Sequence, residues 1–216
     1  MNVTVLTAPT AVSNWQRVGW ILLLLGGLFA AGNAVMFMLV GGHGSPEIKE
    51  RFFATAIAGW SHAFGGAIAA LIGPFQMLAS VRRSWPRVHV WMGRIYLTAV
   101  LAGGLAGLYF APVSSAGIVG RVGFATLAVF WLFSGTRAYL AIRRGNVQEH
   151  RRWMLRNYAL TFGAATLRIQ LPLLIISGVS FPVAYTMVAW LSWVPNWLIV
   201  EAWLRHQQRS TRAPAR

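Results

Sequence analysis

The chain has no cysteine and only four carboxylates, set against nineteen lysines and arginines. Without cysteine there are no disulfides, no Cys-ligated zinc, no Fe–S centre and no thiol catalysis. So few carboxylates leave no paired acids for acid–base work. No G-x-S-x-G elbow and no H-E-x-x-H helix occurs, so hydrolase chemistry lacks its usual groups. No P-loop occurs either, which removes ATPase and kinase readings of that type. A stand-alone enzyme is not expected. Lysine is scarce as well, and the positive charge is carried almost entirely by arginine. A soluble basic protein would use more lysine and a mostly polar surface. Here the arginines cluster between apolar runs, as juxtamembrane loops do. The net charge of +15 therefore points to a membrane surface. A nucleic-acid partner is not expected, because no stretch remains for an aqueous binding domain.

What the chain does have is apolar length. Six stretches, 18–40, 52–80, 90–113, 118–142, 153–178 and 182–204, are each long enough to cross a bilayer as a helix. The first starts late, has almost no basic leader and lacks a small-residue cleavage pattern, so it is not read as a cleaved signal peptide. The expected fold is all-α: one transmembrane domain over 1–216, a six-helix bundle with the second to fifth helices as its central four-helix core. Arginine orients it. One set of loops carries Arg82, Arg83 and Arg87, then Arg143, Arg144, Arg151 and Arg152, then Arg205, Arg209, Arg212 and Arg216. The alternate loops carry Lys49 and Arg51 offset by Glu47 and Glu50, then Arg121, then nothing near Ser180. The positive-inside rule makes the first set cytoplasmic, with both termini inside, in a bacterial cytoplasmic (inner) membrane.

The stretch Arg143–Pro172 organises the rest. His150, Met154, Asn157, Thr161, Ala165 and Arg168 recur at helical spacing, forming one polar stripe. His150 and Arg168 are five turns apart, about 27 Å, nearly the thickness of a hydrocarbon core. On the second span His62, Gly66, Ala69, Gly73 and Gln76 share a face whose small residues allow close helix approach, and Pro74 removes a backbone donor. His62 and Arg168 are expected at matching depth in the outer half, facing each other across a polar cavity. Arg168 stays charged and needs carbonyls freed near Pro172, water or an exogenous acceptor. Arg137 and Glu201 match in depth near the inner side and are expected to pair. His43, in the turn-rich outer loop, reads as a solvated histidine. The segments R-V-H-V-W-M-G-R and H-R-R-W-M-L-R both follow an out-to-in span, which suggests that the two flanking hairpins are related.

Three blocks carry a family likeness: HAFGGAIAALIGPFQ, RVHVWMGRIYL, and the long run from GFATLAVF through HRRWMLRNYALTFGAATLRIQLPL, with WVPNWLIVEAW near the end. Together, over roughly residues 55–204, they resemble the bacterial predicted-membrane-protein family with domain of unknown function 2306. The resemblance implies a helical bacterial membrane protein and no assigned activity or catalytic residue.

Two functional readings follow from the residues. The first is a small b-type cytochrome or quinone-linked redox protein, since histidine alone can hold haem iron. His89 and His150 share the inner edge and could form its axial pair, with Arg94 and Arg156 meeting the propionates. The alternative is a non-enzymatic accessory or ligand-binding subunit of a larger complex. In it His62 and Arg168 bind an anionic, quinone or lipid ligand, while the basic loops meet anionic lipid at the cytoplasmic face or a partner membrane subunit. A purely structural bundle is the third possibility.

Overall fold

A computed structural model describes residues 14–40, 50 and 54–212. His43, Glu47 and the rest of the 41–49 connection lie outside the described residues, as do 1–13, 51–53 and 213–216. The described chain is helical, without strands. In order it forms α1 (Asn14–Val40), α2 (Ala56–Met77), the short α3 (Ala79–Ser84), α4 (Pro86–Phe110), a 3-10 turn (Ala111–Val113), α5 (Gly117–Arg143), α6 (Val147–Ile176), α7 (Phe181–Leu191) and α8 (Val194–Arg212). Six of the resulting rods are long and apolar enough to cross a membrane, α7 and α8 together making the sixth.

The spans expected from sequence are present, with two differences. α1, α4 and α6 start before their apolar runs, because interfacial residues serve as helix starts, whereas the second span is shorter than expected, α2 running from Ala56 to Met77 and ending at an extended Leu78 before α3. Pro86 occupies the first turn of α4, where its missing N–H costs nothing. Asn146 caps α6 by accepting from the Glu149 N–H at 3.0 Å. Secondly, the sixth span is broken at Ser192–Trp193. Pro195 cannot donate to the carbonyl one turn before it, and that carbonyl, Leu191 O, instead accepts from Gln170 Nε2 at 3.2 Å.

α2, α4, α5 and α6 form a closed ring in that order, each packed on the next and α6 closing back on α2. This is the four-helix core expected from the sequence. α1 packs outside α2 and α6, the lateral role expected of it, while α7 lies on α5 and α6 and α8 on α6. Close approach comes from glycine. At Gly65 a Cβ would lie 2.6 Å from Ala99 O and 2.8 Å from Gly103 N, so α2 and α4 cross backbone to backbone there. At Gly73 a Cβ would overlap the Tyr158 ring. That ring delivers its hydroxyl to Ala70 O at 3.1 Å. Ala70 O is the carbonyl that Pro74 leaves without an N–H, so the proline is accommodated by a neighbouring helix, and α2 runs through it to Met77.

The starts of α1, α4 and α6 and the ends of α2, α5 and α8 share one end of the bundle. This basic end carries Arg82, Arg83, Arg87, Arg143, Arg144, Arg151 and Arg152.

Candidate ligand sites at the two mouths of the ring

The ring is plugged at its middle. Tyr96 on α4 donates to Asn157 Oδ1 on α6 at 2.7 Å and lies 3.0 Å from Thr161 Oγ1. Trp131 Nε1 on α5 donates to Thr161 Oγ1 at 2.8 Å. Asn157 Nδ2 donates to Trp131 O and to Ser134 Oγ, each at 2.8 Å. Ala69 of α2 packs into the same cluster. All five polar members are buried and none is left without a partner. Fully satisfied buried networks fix one packing arrangement, so this layer is structural.

Below the plug, towards the basic end, the pattern changes. His89 precedes Tyr96, and His150 precedes Asn157, by two helical turns, about 10 Å, on the same faces of two parallel helices. By this register His89 and His150 lie on the faces of α4 and α6 that carry the Tyr96–Asn157 contact, at the basic end of the ring. α4 and α6 stand diagonally across the ring, with no Cα pair within 8 Å. His150 Nδ1 donates to Ala138 O at 2.9 Å, which leaves Nε2 unengaged. His89 lies within electrostatic reach of His150 and Arg82. Two polar atoms here are buried without partners, Gln76 Nε2 and His89 Nδ1. Gln76 is 8% exposed, and its Oε1 lies 3.5 Å from where a Cβ on Gly93 would be. Arg82 closes the end of α2, donating from Nη1 to Met77 O at 2.7 Å and Gln76 O at 3.2 Å. Partial burial, then the charges of Arg151 and Arg83, holds its pKa below the usual arginine value.

Above the plug, the opposite mouth carries His62 and Arg168. His62 Nδ1 donates to Gly103 O at 3.0 Å. Its ring covers Gly107, where a Cβ would lie 3.3 Å from it and 3.9 Å from Ala128 of α5. The ring thus reaches from α2 over α4 towards α5, and the residue remains exposed. Arg168 follows Thr161 by two turns on α6, above the plug. It is within electrostatic reach of His62, and its Nη1 donates to Ala164 O at 2.8 Å. That carbonyl belongs to its own helix and is not the one Pro172 frees, which is Arg168's own.

Two sequence expectations are corrected. Arg137 does not pair with Glu201. It pairs with Glu149 at 3.0 Å, and Glu201 pairs with Arg156, Nη2 to Oε2 at 3.1 Å and Nε to Oε1 closer still. Matching depth does not set direction around the bundle: α8 packs on α6 and not on α5, so Glu201 meets the arginine of α6. Arg156 is accordingly engaged by a carboxylate and by the Trp153 ring at 4.8 Å, and is not available for a propionate. Arg94 is exposed and lies over Trp91 at 5.0 Å. The cations near the histidine pair are Arg82 and, beside it, Arg151. Tyr96 and Trp131 escaped the sequence reading. For Tyr96 the signal was the two-turn step from His89, repeated from His150 to Asn157; Trp131 had none.

Among the described residues no three His, Asp or Glu side chains converge. The polar groups of the ring are thus gathered into a central plug and two mouths within a sheath of exposed Leu, Ile, Val and Phe. A helical bundle with its charges at the ends and an apolar exterior is a polytopic integral membrane protein. The family model described as "Predicted membrane protein (DUF2306)" matches residues 59–204, and the chain belongs to that family. No curated protein and no solved structure matches it significantly.

Proposed function

We propose that the protein is a membrane redox protein that holds haem b between His89 and His150 at the basic mouth of the ring. The observation that carries this reading is the shared two-turn offset of both histidines from the Tyr96–Asn157 contact. It puts the two histidines on facing helices across a diagonal with no Cα pair within 8 Å, which supports a flat cofactor between them. Bis-histidine ligation needs no cysteine. The His150 Nδ1–Ala138 O bond supports the reading, because a ligating imidazole usually donates its other N–H to a carbonyl or carboxylate. Gln76 Nε2 and Arg82 are the groups for the propionates. Haem supplies one-electron transfer; the chain's part is to hold it, orient it and keep it dry.

A second reading, an accessory or ligand-binding subunit taking an anionic, quinone or lipid ligand, is favoured by the charge of Arg168 inside the opposite mouth. The two mouths are separate, so one reading does not exclude the other. Under either, the basic end lies at the cytoplasmic face of a bacterial inner membrane, against anionic lipid.

The test is an absorption spectrum of protein purified from cells supplied with haem precursor, oxidised and then reduced. A Soret band that shifts on reduction is expected, lost or displaced in His89→Ala and in His150→Ala and retained in His62→Ala. Folded, colourless wild-type protein would overturn the haem reading.

A further inference from the structure

We propose that the mouth opposite the basic end is a binding site for an oxyanion that still carries an O–H, of the hydrogen-phosphate class, held by Arg168 and His62. This rests on the ligand-binding reading of that mouth and does not depend on haem at the other. Arg168 sits two turns above the buried plug and remains a cation whatever its surroundings. One of its nitrogens donates to Ala164 O at 2.8 Å, and the remainder of the guanidinium fork is left for an acceptor. Among the described residues no carboxylate pairs with it: Glu149 is held by Arg137 and Glu201 by Arg156 at the basic end, and the exposed Glu50, at the same end as Arg168, forms no ion pair with it. A fixed cation within an apolar bundle calls for an anionic partner or water.

His62 specifies the kind of anion. Gly103 O can only accept, so the contact at 3.0 Å places the imidazole proton on Nδ1. Beside the fixed charge of Arg168 the ring stays neutral, so its Nε2 is a bare acceptor. A planar donor fork beside a lone acceptor complements a ligand with anionic oxygens on one side and a hydroxyl on another. Hydrogen phosphate and phosphate monoesters have both; sulfate at neutral pH has the oxygens without the proton. The same chemistry is available from free phosphate in the outer aqueous phase or from the monoester headgroup of phosphatidic acid.

The test uses full-length protein in phosphatidylcholine nanodiscs at neutral pH, titrated calorimetrically with inorganic phosphate and with sulfate. A second sample carries phosphatidic acid in the discs and is read by native mass spectrometry. Saturable phosphate binding, about tenfold or more tighter than sulfate, is expected. Arg168→Gln should lose it by a similar factor, with Arg168→Lys between the two, because the charge remains and the fork does not. His62→Phe should lose the preference for phosphate over sulfate more than the binding itself. Dependence on Arg168 seen only as retained phosphatidic acid would assign the site to a lipid headgroup. Neither probe bound by monodisperse wild-type protein, or equal binding by Arg168→Gln, overturns the site. Sulfate bound as well as phosphate overturns the role of His62.

Discussion

Tyr96 and Asn157 meet at 2.7 Å across a diagonal of the ring, joining α4 and α6, which have no Cα pair within 8 Å. Removing the Tyr96 hydroxyl leaves Asn157 Oδ1 buried without its donor. Hydrogen bonds between membrane helices are worth less than one might expect, but an orphaned buried acceptor carries its own penalty. Tyr96→Phe should cost about 1–2 kcal/mol, measured by unfolding in mixed detergent. A Tyr96→Phe, Asn157→Leu double variant should recover part of that loss. A single variant as stable as wild type would mean the contact does not hold the diagonal.

Gly73 offers a sharper steric test. A methyl at this position would overlap the Tyr158 ring, displacing the hydroxyl from Ala70 O, which Pro74 cannot serve. Gly73→Ala should destabilise by about 1–3 kcal/mol, despite alanine's better helix propensity. Gly66 lies on the same helix, two turns away, and a methyl there would meet nothing within 4 Å. Gly66→Ala should be neutral or stabilising by up to about 1 kcal/mol. Equal effects at both positions would contradict the packing of α6 on α2.

The spans and the ring were legible because apolar length and arginine spacing are one-dimensional signals, and α2 to α6 follow them closely. Arg168, Asn157 and Thr161 were legible as a stripe for the same reason. Partners were not. Glu201 and Arg137 match in depth, yet the choice of Arg156 depends on which helices are neighbours, and only the docking of α8 on α6 decides that. The break at Ser192–Trp193 was likewise hidden. Pro195 marks it only when Gln170, on another helix, is there to take the freed carbonyl. Tyr96 and Trp131 read as ordinary aromatics of an apolar helix until Asn157 and Thr161 are placed opposite them.

The two ion pairs should behave differently. The Arg156 and Glu201 side chains are 16% and 18% exposed, whereas those of Arg137 and Glu149 are 44% and 32% exposed. Breaking a largely buried pair leaves one charge stranded, at a cost of about 3–5 kcal/mol; an exposed pair contributes about 0–1 kcal/mol. Glu201→Gln should therefore be strongly destabilising, and the Arg156→Gln, Glu201→Gln double variant milder than that single change. Arg137→Gln should be nearly silent in the same unfolding assay. Equal losses for Arg137→Gln and Glu201→Gln would refute this ranking.

Sidedness is the last expectation, and both proposed sites depend on it. An even number of crossings brings the start of α1 and the end of α8 to one end of the bundle, and this end also carries the arginine-rich turns at 82–87 and 143–152. Moving that many cations outward across a bilayer is opposed during insertion, so the basic end should face the cytoplasm. The opposite end has Arg121, which donates to Ser114 O at 2.9 Å, and no arginine at the Ser177–Ser180 turn. Reporter fusions after residue 145 and at the C-terminus should report cytoplasm, and a fusion at residue 115 the other side. If 115 and 145 report the same side, α5 does not cross and the ring cannot close in a bilayer. If all three are inverted, the ring survives, but His89 and His150 open outward and the His62–Arg168 mouth meets the cytoplasm. Phosphate for that mouth would then have to come from inside the cell. Replacing Arg143, Arg144, Arg151 and Arg152 together with glutamine should weaken the orientation and produce mixed reporter signals, since charge bias, not net charge, sets it.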